Sequence, residues 1–177
     1  MVPMAKGRHP FLKNPDTFAR SIEVIFGIIW GIDGALKFMP GFVSLFPQML
    51  QSAASGQPAW LGGWFLFWSG AAAGSPAIFV YAIGLFELAL SFALIFGFMR
   101  KIAYGGGIVL SLLIWAVPEG FGGPYGPGST DVGTGIIYAI AFLLLFALAL
   151  YRRQDRLTLD ALIGRRIRWW KRISEFS

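Results

Sequence analysis

The sequence predicts an all-α integral membrane protein: a four-transmembrane-helix bundle, with short interfacial helices in the first outer loop and a C-terminal amphipathic surface helix. Three observations carry that prediction. Of the 177 residues, 56% are hydrophobic and only 14% charged, where a soluble domain carries about 25% charged residues; the mean hydropathy is +0.64. Long apolar runs alternate with glycine- and proline-rich breaks. The lysines and arginines gather at one side of the resulting four-span arrangement, as the positive-inside rule requires.

Residues 1–17 are polar, basic and proline-interrupted, and read as a cytoplasmic arm in which Asp16 or Thr17 is placed to cap the first helix. The first span, Ser21–Met39, is apolar yet carries Glu23, Asp33 and Lys37. Ionisable groups at membrane depth cost several kcal/mol unless partnered or wet, so this helix is expected to face other protein. Gly27, Gly31 and Gly34 fall on one stripe, against which a second helix can pack closely. The stretch lacks a short apolar core followed by a small-residue cleavage site, and is expected to stay in the mature protein.

Pro40 and Gly41 break that helix. Residues 42–74 contain no charged side chain. Phe42, Leu45, Phe46, Met49 and Leu50 follow helical spacing, as do Trp60, Trp64 and Trp68, and tryptophan favours the headgroup level. Two short helices on the outer face are predicted, either a plain interfacial anchor or a lid over a lipid-soluble ligand. The second span is predicted from Pro76 to Phe98, with Tyr81, Gly84, Glu87 and Ser91 on one stripe, followed by a basic turn at Met99–Lys101. The third span covers Ile102–Val117. Pro118–Asp131 has five glycines and three prolines, which exclude regular structure. The fourth span, Val132–Tyr151, ends in AFLLLFALAL, expected to face lipid.

The membrane domain thus occupies 18–151, and the tail 152–177. The tail holds eight of the fifteen basic residues. Leu159, Leu162, Ile163, Ile167, Trp170 and Ile173 share one helical face there, which predicts an amphipathic helix over Leu159–Ile173 on an anionic inner leaflet. Aromatics on the apolar face disfavour nucleic acid as the partner. The arm, the Arg100–Lys101 turn and the tail all carry positive charge, which places both termini in the cytoplasm and Pro118–Asp131 outside. A fifth span at 57–73 would export one of the basic ends.

The absence of cysteine excludes disulfides, iron–sulfur clusters and catalytic thiols, and the single histidine, His9, lies in the arm. No metal or haem held by imidazole or thiolate is expected. The candidate chemistry rests on a few charged residues. Arg20 and Glu23 are spaced for an i, i+3 pair near the cytoplasmic surface. Asp33 and Lys37 are spaced for an i, i+4 pair. Glu87 lies midway along its helix, about 16 Å from either end, where it must be protonated, meet a partner such as Tyr81 or Lys37, or line a cavity.

Arg20, the run GIIWGIDGALKF (Gly27–Phe38), Glu87 and the late WAVPEGFGGPYGPGSTDVGTGIIYAI (Trp115–Ile140) together resemble the DoxX/DoxD-like membrane proteins, over roughly residues 18–151. The glycine-rich loop followed by Asp131-Val-Gly is most similar to DoxD, the membrane subunit of thiosulfate:quinone oxidoreductase. The resemblance implies a protein integral to a bacterial or archaeal plasma membrane that passes electrons from thiosulfate to quinone, a diffusible acceptor, directly or through a second small subunit or within a homo-oligomer. It further implies that Lys37 attracts the anion and Glu87 manages a proton at the quinone ring, beside Asp33, while Trp30 and Tyr81 stack on it. Two other classes stay open. One is a non-catalytic structural or assembly subunit of a larger membrane complex. The other is a small-solute or proton pathway built by oligomers.

Overall fold

Proline at a helix start and an acid in the first turn suit the exposed amides there, and α1 (Pro15–Leu36) opens in this way, with Asp16 in its first turn. The computed structural model describes residues 15–126, 129, 131–151, 158–167 and 169–174. Most of the basic arm with His9, the stretch 152–157 and Arg168 lie outside these. Asp16 and Thr17 sit inside α1 rather than ahead of it, which corrects the expected cap. The helix also stops before Met39. Amides of Lys37 and Phe38 donate to Gly34 and Ala35 in tightening turns, and Gly41 then takes a left-handed φ of 89°.

The remaining order is α2 (Phe42–Ala54), a 3-10 turn at Ala59–Leu61, α3 (Gly62–Ala73), α4 (Pro76–Phe96), α5 (Arg100–Ala116), a 3-10 turn at Gly120–Gly122, α6 (Thr134–Tyr151), α7 (Leu159–Gly164) and α8 (Trp170–Ser174). The described residues are all-helical. Among them Pro76–Phe96 is the helix long and apolar enough to cross a membrane, and Thr134–Leu150 is a shorter apolar helix. Arg100 and Lys101 open α5 instead of forming a turn, because Gly97 closes α4 in the left-handed conformation, its amide donating to Ala93.

Small residues decide which helices pair. α1 lies along α4; a Cβ on Gly31 would come 2.7 Å from Ser91 Oγ, and one on Gly84 would come 2.9 Å from Lys37 Cβ. α5 lies along α6, where Gly135 sits against the Ser111 carbonyl oxygen, to which a Cβ would come 2.7 Å. Large aromatic side chains fill the seam between the two pairs. Phe26 and Trp30 of α1 meet Tyr138 and Phe142 of α6 with ring centroids 4.9–5.5 Å apart. Phe142, Leu145 and Ala149 are buried, so the apolar half of α6 is one-sided; Leu143, Leu144 and Leu148 alone point outward from that stretch with Leu150.

One end of the bundle is locked by charge. Arg20 pairs with Glu23 at 2.7 Å and donates to the Leu94 and Ile95 carbonyls at 2.7 and 2.5 Å. Those carbonyls belong to the last turn of α4, which lacks intrahelical donors. Glu23, almost fully buried, also accepts the Tyr104 hydroxyl at 2.8 Å. The pair expected to sit at the surface is therefore an interhelical clamp.

The tail folds back onto this end as two short helices, which corrects the single Leu159–Ile173 helix. Thr158 caps α7 by accepting the Ala161 amide at 3.2 Å. Asp160 is fully buried; its carboxylate accepts the Met99 and Arg100 amides at 2.9 and 3.1 Å and the Trp170 indole N–H at 3.0 Å. Its own amide donates to Gly97. A hydrophobic-face pattern could not reveal this, because an acid on that face buries itself at the open start of α5. Arg165, Arg166 and Arg172 remain exposed.

Candidate functional site

A cavity of about 320 Å³ lies where the two helix pairs diverge. α1 contributes Trp30 and Asp33, the turn after it Lys37, α4 contributes Glu87, and α5 and α6 contribute Ser111, Thr134 and Tyr138. Phe42, Phe46 and Met49 of α2 cover it, while Glu119 stands at its margin in the loop after α5. The α2–α3 segment is held in place by Phe46 and Leu50, buried against Val80 and Val117. The Trp64 indole N–H donating to Ala116 at 2.8 Å adds a further tie. One end of that segment thus roofs a cavity.

Glu87 is 2% exposed. Its Oε2 lies 3.2 Å from Lys37 Nζ, off hydrogen-bond alignment. Lys37 also donates to the Asp33 backbone carbonyl at 3.3 Å and stands 5.1 Å from the Phe42 ring centroid, a favourable place for a cation. The expected Asp33–Lys37 ion pair is not what forms. Gly34 and Gly84 let α1 and α4 approach so closely that the ammonium reaches the buried carboxylate of the other helix. Burial makes that carboxylate the more demanding partner, and the half-buried Asp33 side chain faces the cavity without it.

Trp30 is 1% exposed, and its ring is packed by Phe26, Tyr138 and Phe142. Trp30 Nε1 and Ser111 Oγ are both buried without a hydrogen-bond partner among the described residues. Tyr81 is not part of the lining. It is 44% exposed and stacks on Phe38, centroids 5.4 Å apart and planes 6° from parallel. Six residues correspond to about 240° around a helix, so Tyr81 and Glu87 face apart; Gly84, Ile83 and Val80 share the Glu87 side instead.

Four polar lining residues, Ser111, Glu119, Thr134 and Tyr138, escaped the sequence reading. Ser111 follows Tyr104 and Gly107 at helical spacing, all three buried, and that stripe was the available signal. Tyr138 stands one turn after Thr134. Glu119 accepts the Gly135 amide at 2.8 Å, an acid serving the amino end of α6. Burial pushes the Glu119 carboxyl above its ordinary range, the Gly135 hydrogen bond opposes this, and the nearby Asp131 charge adds to the rise. Among the described residues no group of three or more His, Asp or Glu side chains is placed to hold a metal ion.

The arrangement offers one proton-bearing ion pair, two unused donors from opposite helix pairs, and apolar walls, a composition suited to a small ligand with acceptor oxygens. Family models, curated proteins and solved structures were compared with the chain, and none matches it.

Proposed function

We propose that this chain is a four-span membrane protein of the DoxX/DoxD-like type whose central cavity binds the ring of a lipid-soluble quinone. It then serves as the membrane subunit of a quinone-linked oxidoreductase, with thiosulfate the electron donor that the resemblance suggests. α1, α5 and α6 measure about 33, 26 and 27 Å at 1.5 Å per residue, close to the roughly 30 Å hydrocarbon layer. Their outward faces, with that of α4, carry Ile25, Ile32, Phe86, Val109, Ile137 and Leu144, each more than half exposed. So continuous an apolar surface suits lipid. The clamp at Arg20, the α4–α5 turn and the folded tail share one end, in keeping with cytoplasmic termini, and the exposed tail arginines suit an anionic leaflet.

The observation that carries the ligand reading is the pair of unpartnered donors, Trp30 Nε1 and Ser111 Oγ. A buried donor without a partner costs about 1–3 kcal/mol, and two around one cavity fit a bound molecule with acceptor oxygens. Reduction of a quinone takes two electrons from the donor and two protons. The donors orient the ring oxygens, and the proton held between Lys37 and Glu87 is positioned to follow charge onto one of them. The Glu119 carboxyl at the margin, raised by burial, provides an acid for refilling that pair.

Glu87→Gln keeps volume and removes the titratable proton. Quinone-linked turnover, measured below the variant's melting temperature, should fall by about a hundredfold with ligand retained, beyond the stability cost of leaving Lys37 unpaired. Full turnover between pH 5 and 8 would sink the redox reading. A second reading, a structural subunit, is favoured by the Lys37–Glu87 contact itself, since that pair ties α1 to α4; under it, Glu87→Gln alters stability alone.

A further inference from the structure

A second hollow of about 120 Å³ adjoins the cavity and shares Phe46, Ile83, Ile114 and Pro118 with it. Leu50, Trp68, Ala72, Phe79 and Leu113 complete much of its wall, so apart from one indole N–H the side chains are hydrocarbon or ring. Leu113 is 41% exposed and stands at the edge. The surface beyond is apolar too: Ile78 of α4 and Val109 of α5 are each more than half exposed. The hollow therefore leads from the polar cavity, between α3, α4 and α5, to the hydrocarbon-facing side of the bundle. A small water-soluble solute has no use for such an exit.

We infer that this annex is the passage for the hydrocarbon chain of the ligand whose ring sits by Glu87, so that the cavity takes chain-bearing amphiphiles through the side of the bundle. The inference rests on the quinone reading of the cavity and adds to it the route and orientation of the ligand. Chain carbon in the annex is no better solvated than chain carbon in lipid, because both surroundings are apolar. The annex therefore acts through space rather than affinity. A ring seated beneath α2 must lead its chain outward, and the continuous lining provides the way. Trp64, fixed to the Ala116 carbonyl, holds α3 at the required distance from α5.

Narrowing the annex tests this. Ala72 is buried, so Ala72→Leu adds bulk in the annex wall, and Leu113→Trp narrows the edge. Binding of two probes is measured in nanodiscs of one phospholipid composition: a benzoquinone ring without a chain, and the same ring bearing a decyl chain. Partition into lipid is common to all variants and cancels in the comparison. Both substitutions should weaken the decyl probe about tenfold or more, the cost of forcing atoms into filled space, and leave the chainless ring within about twofold. Equal weakening of both probes, or unchanged decyl binding in both variants, overturns the passage while leaving the ring site standing. If the unaltered protein binds neither probe, the quinone reading falls and the passage with it.

Discussion

Lys37 Nζ, in the turn that ends α1, stands 3.2 Å from Glu87 Oε2 of α4, and the carboxylate has hardly any access to solvent. The cation at the end of the first helix is thereby committed to the second long helix, not to the acid one turn before it. Breaking a buried pair from one side leaves the other charge uncompensated, which costs about 3–5 kcal/mol. Lys37→Met should lower the melting temperature sharply. Lys37→Met combined with Glu87→Leu should recover most of that loss, because two apolar side chains replace the pair. A single substitution without effect on melting would show that the pair does not hold the helices.

Ser111→Ala separates ligand binding from folding. The hydroxyl is fully buried and unpartnered, so its removal should leave thermal stability unchanged or slightly raised. A lost hydrogen bond to the ring is worth about 1 kcal/mol, or roughly fivefold in affinity. A fall in stability with unchanged quinone affinity would place the hydroxyl in packing alone.

Glu119 gives the protein a specific pH dependence. Burial holds its folded carboxyl above the ordinary carboxylate range, so as pH rises out of that range the folded state binds more protons than the unfolded state. Stability from this group is then fully present below the unfolded value and is lost as pH rises through the folded one. Glu119→Gln retains an acceptor for the Gly135 amide and removes the titration. Melting curves should show the variant losing less stability than the parent between pH 4.5 and 7. Parallel curves would exclude Glu119 as the source.

The proposed orientation in the membrane is checked with single cysteines at Ser129 and Arg166, both exposed. Ser174 is a poor labelling site because it is fully buried. In intact cells an impermeant thiol reagent should reach position 129 and not 166, with both labelled after lysis. The reverse pattern would invert the topology.

Much of this architecture was legible because it is written in short-range pattern. The Gly27, Gly31 and Gly34 stripe announces a close helix contact, and a lone carboxyl at Glu87 announces a partner from elsewhere. Lys37 stood beside Tyr81 as a possible partner, and the choice was not legible, since i, i+4 spacing favours Asp33 for Lys37, whereas burial on a neighbouring helix favours Glu87. Ser111 shared a legible stripe with Tyr104 and Gly107, but its role did not show: a serine in a helix ordinarily bonds its own backbone, and only three-dimensional context leaves its hydroxyl unused. Tyr81 was misplaced by an angle that the residue count itself contains. The tail misled because its apolar periodicity continues across Gly164, whereas the structure has two short helices, α7 and α8.

Asp160 also imposes an order of assembly. The α4–α5 turn emerges from the ribosome some sixty residues before the carboxylate that accepts the Met99 and Arg100 amides. Until then the start of α5 has open amides and Gly97 lacks its Asp160 donor. The hairpin is therefore completed from behind, by a part of the chain made later, and a nascent or truncated product ending before Asp160 carries an unfinished junction at the α4–α5 turn.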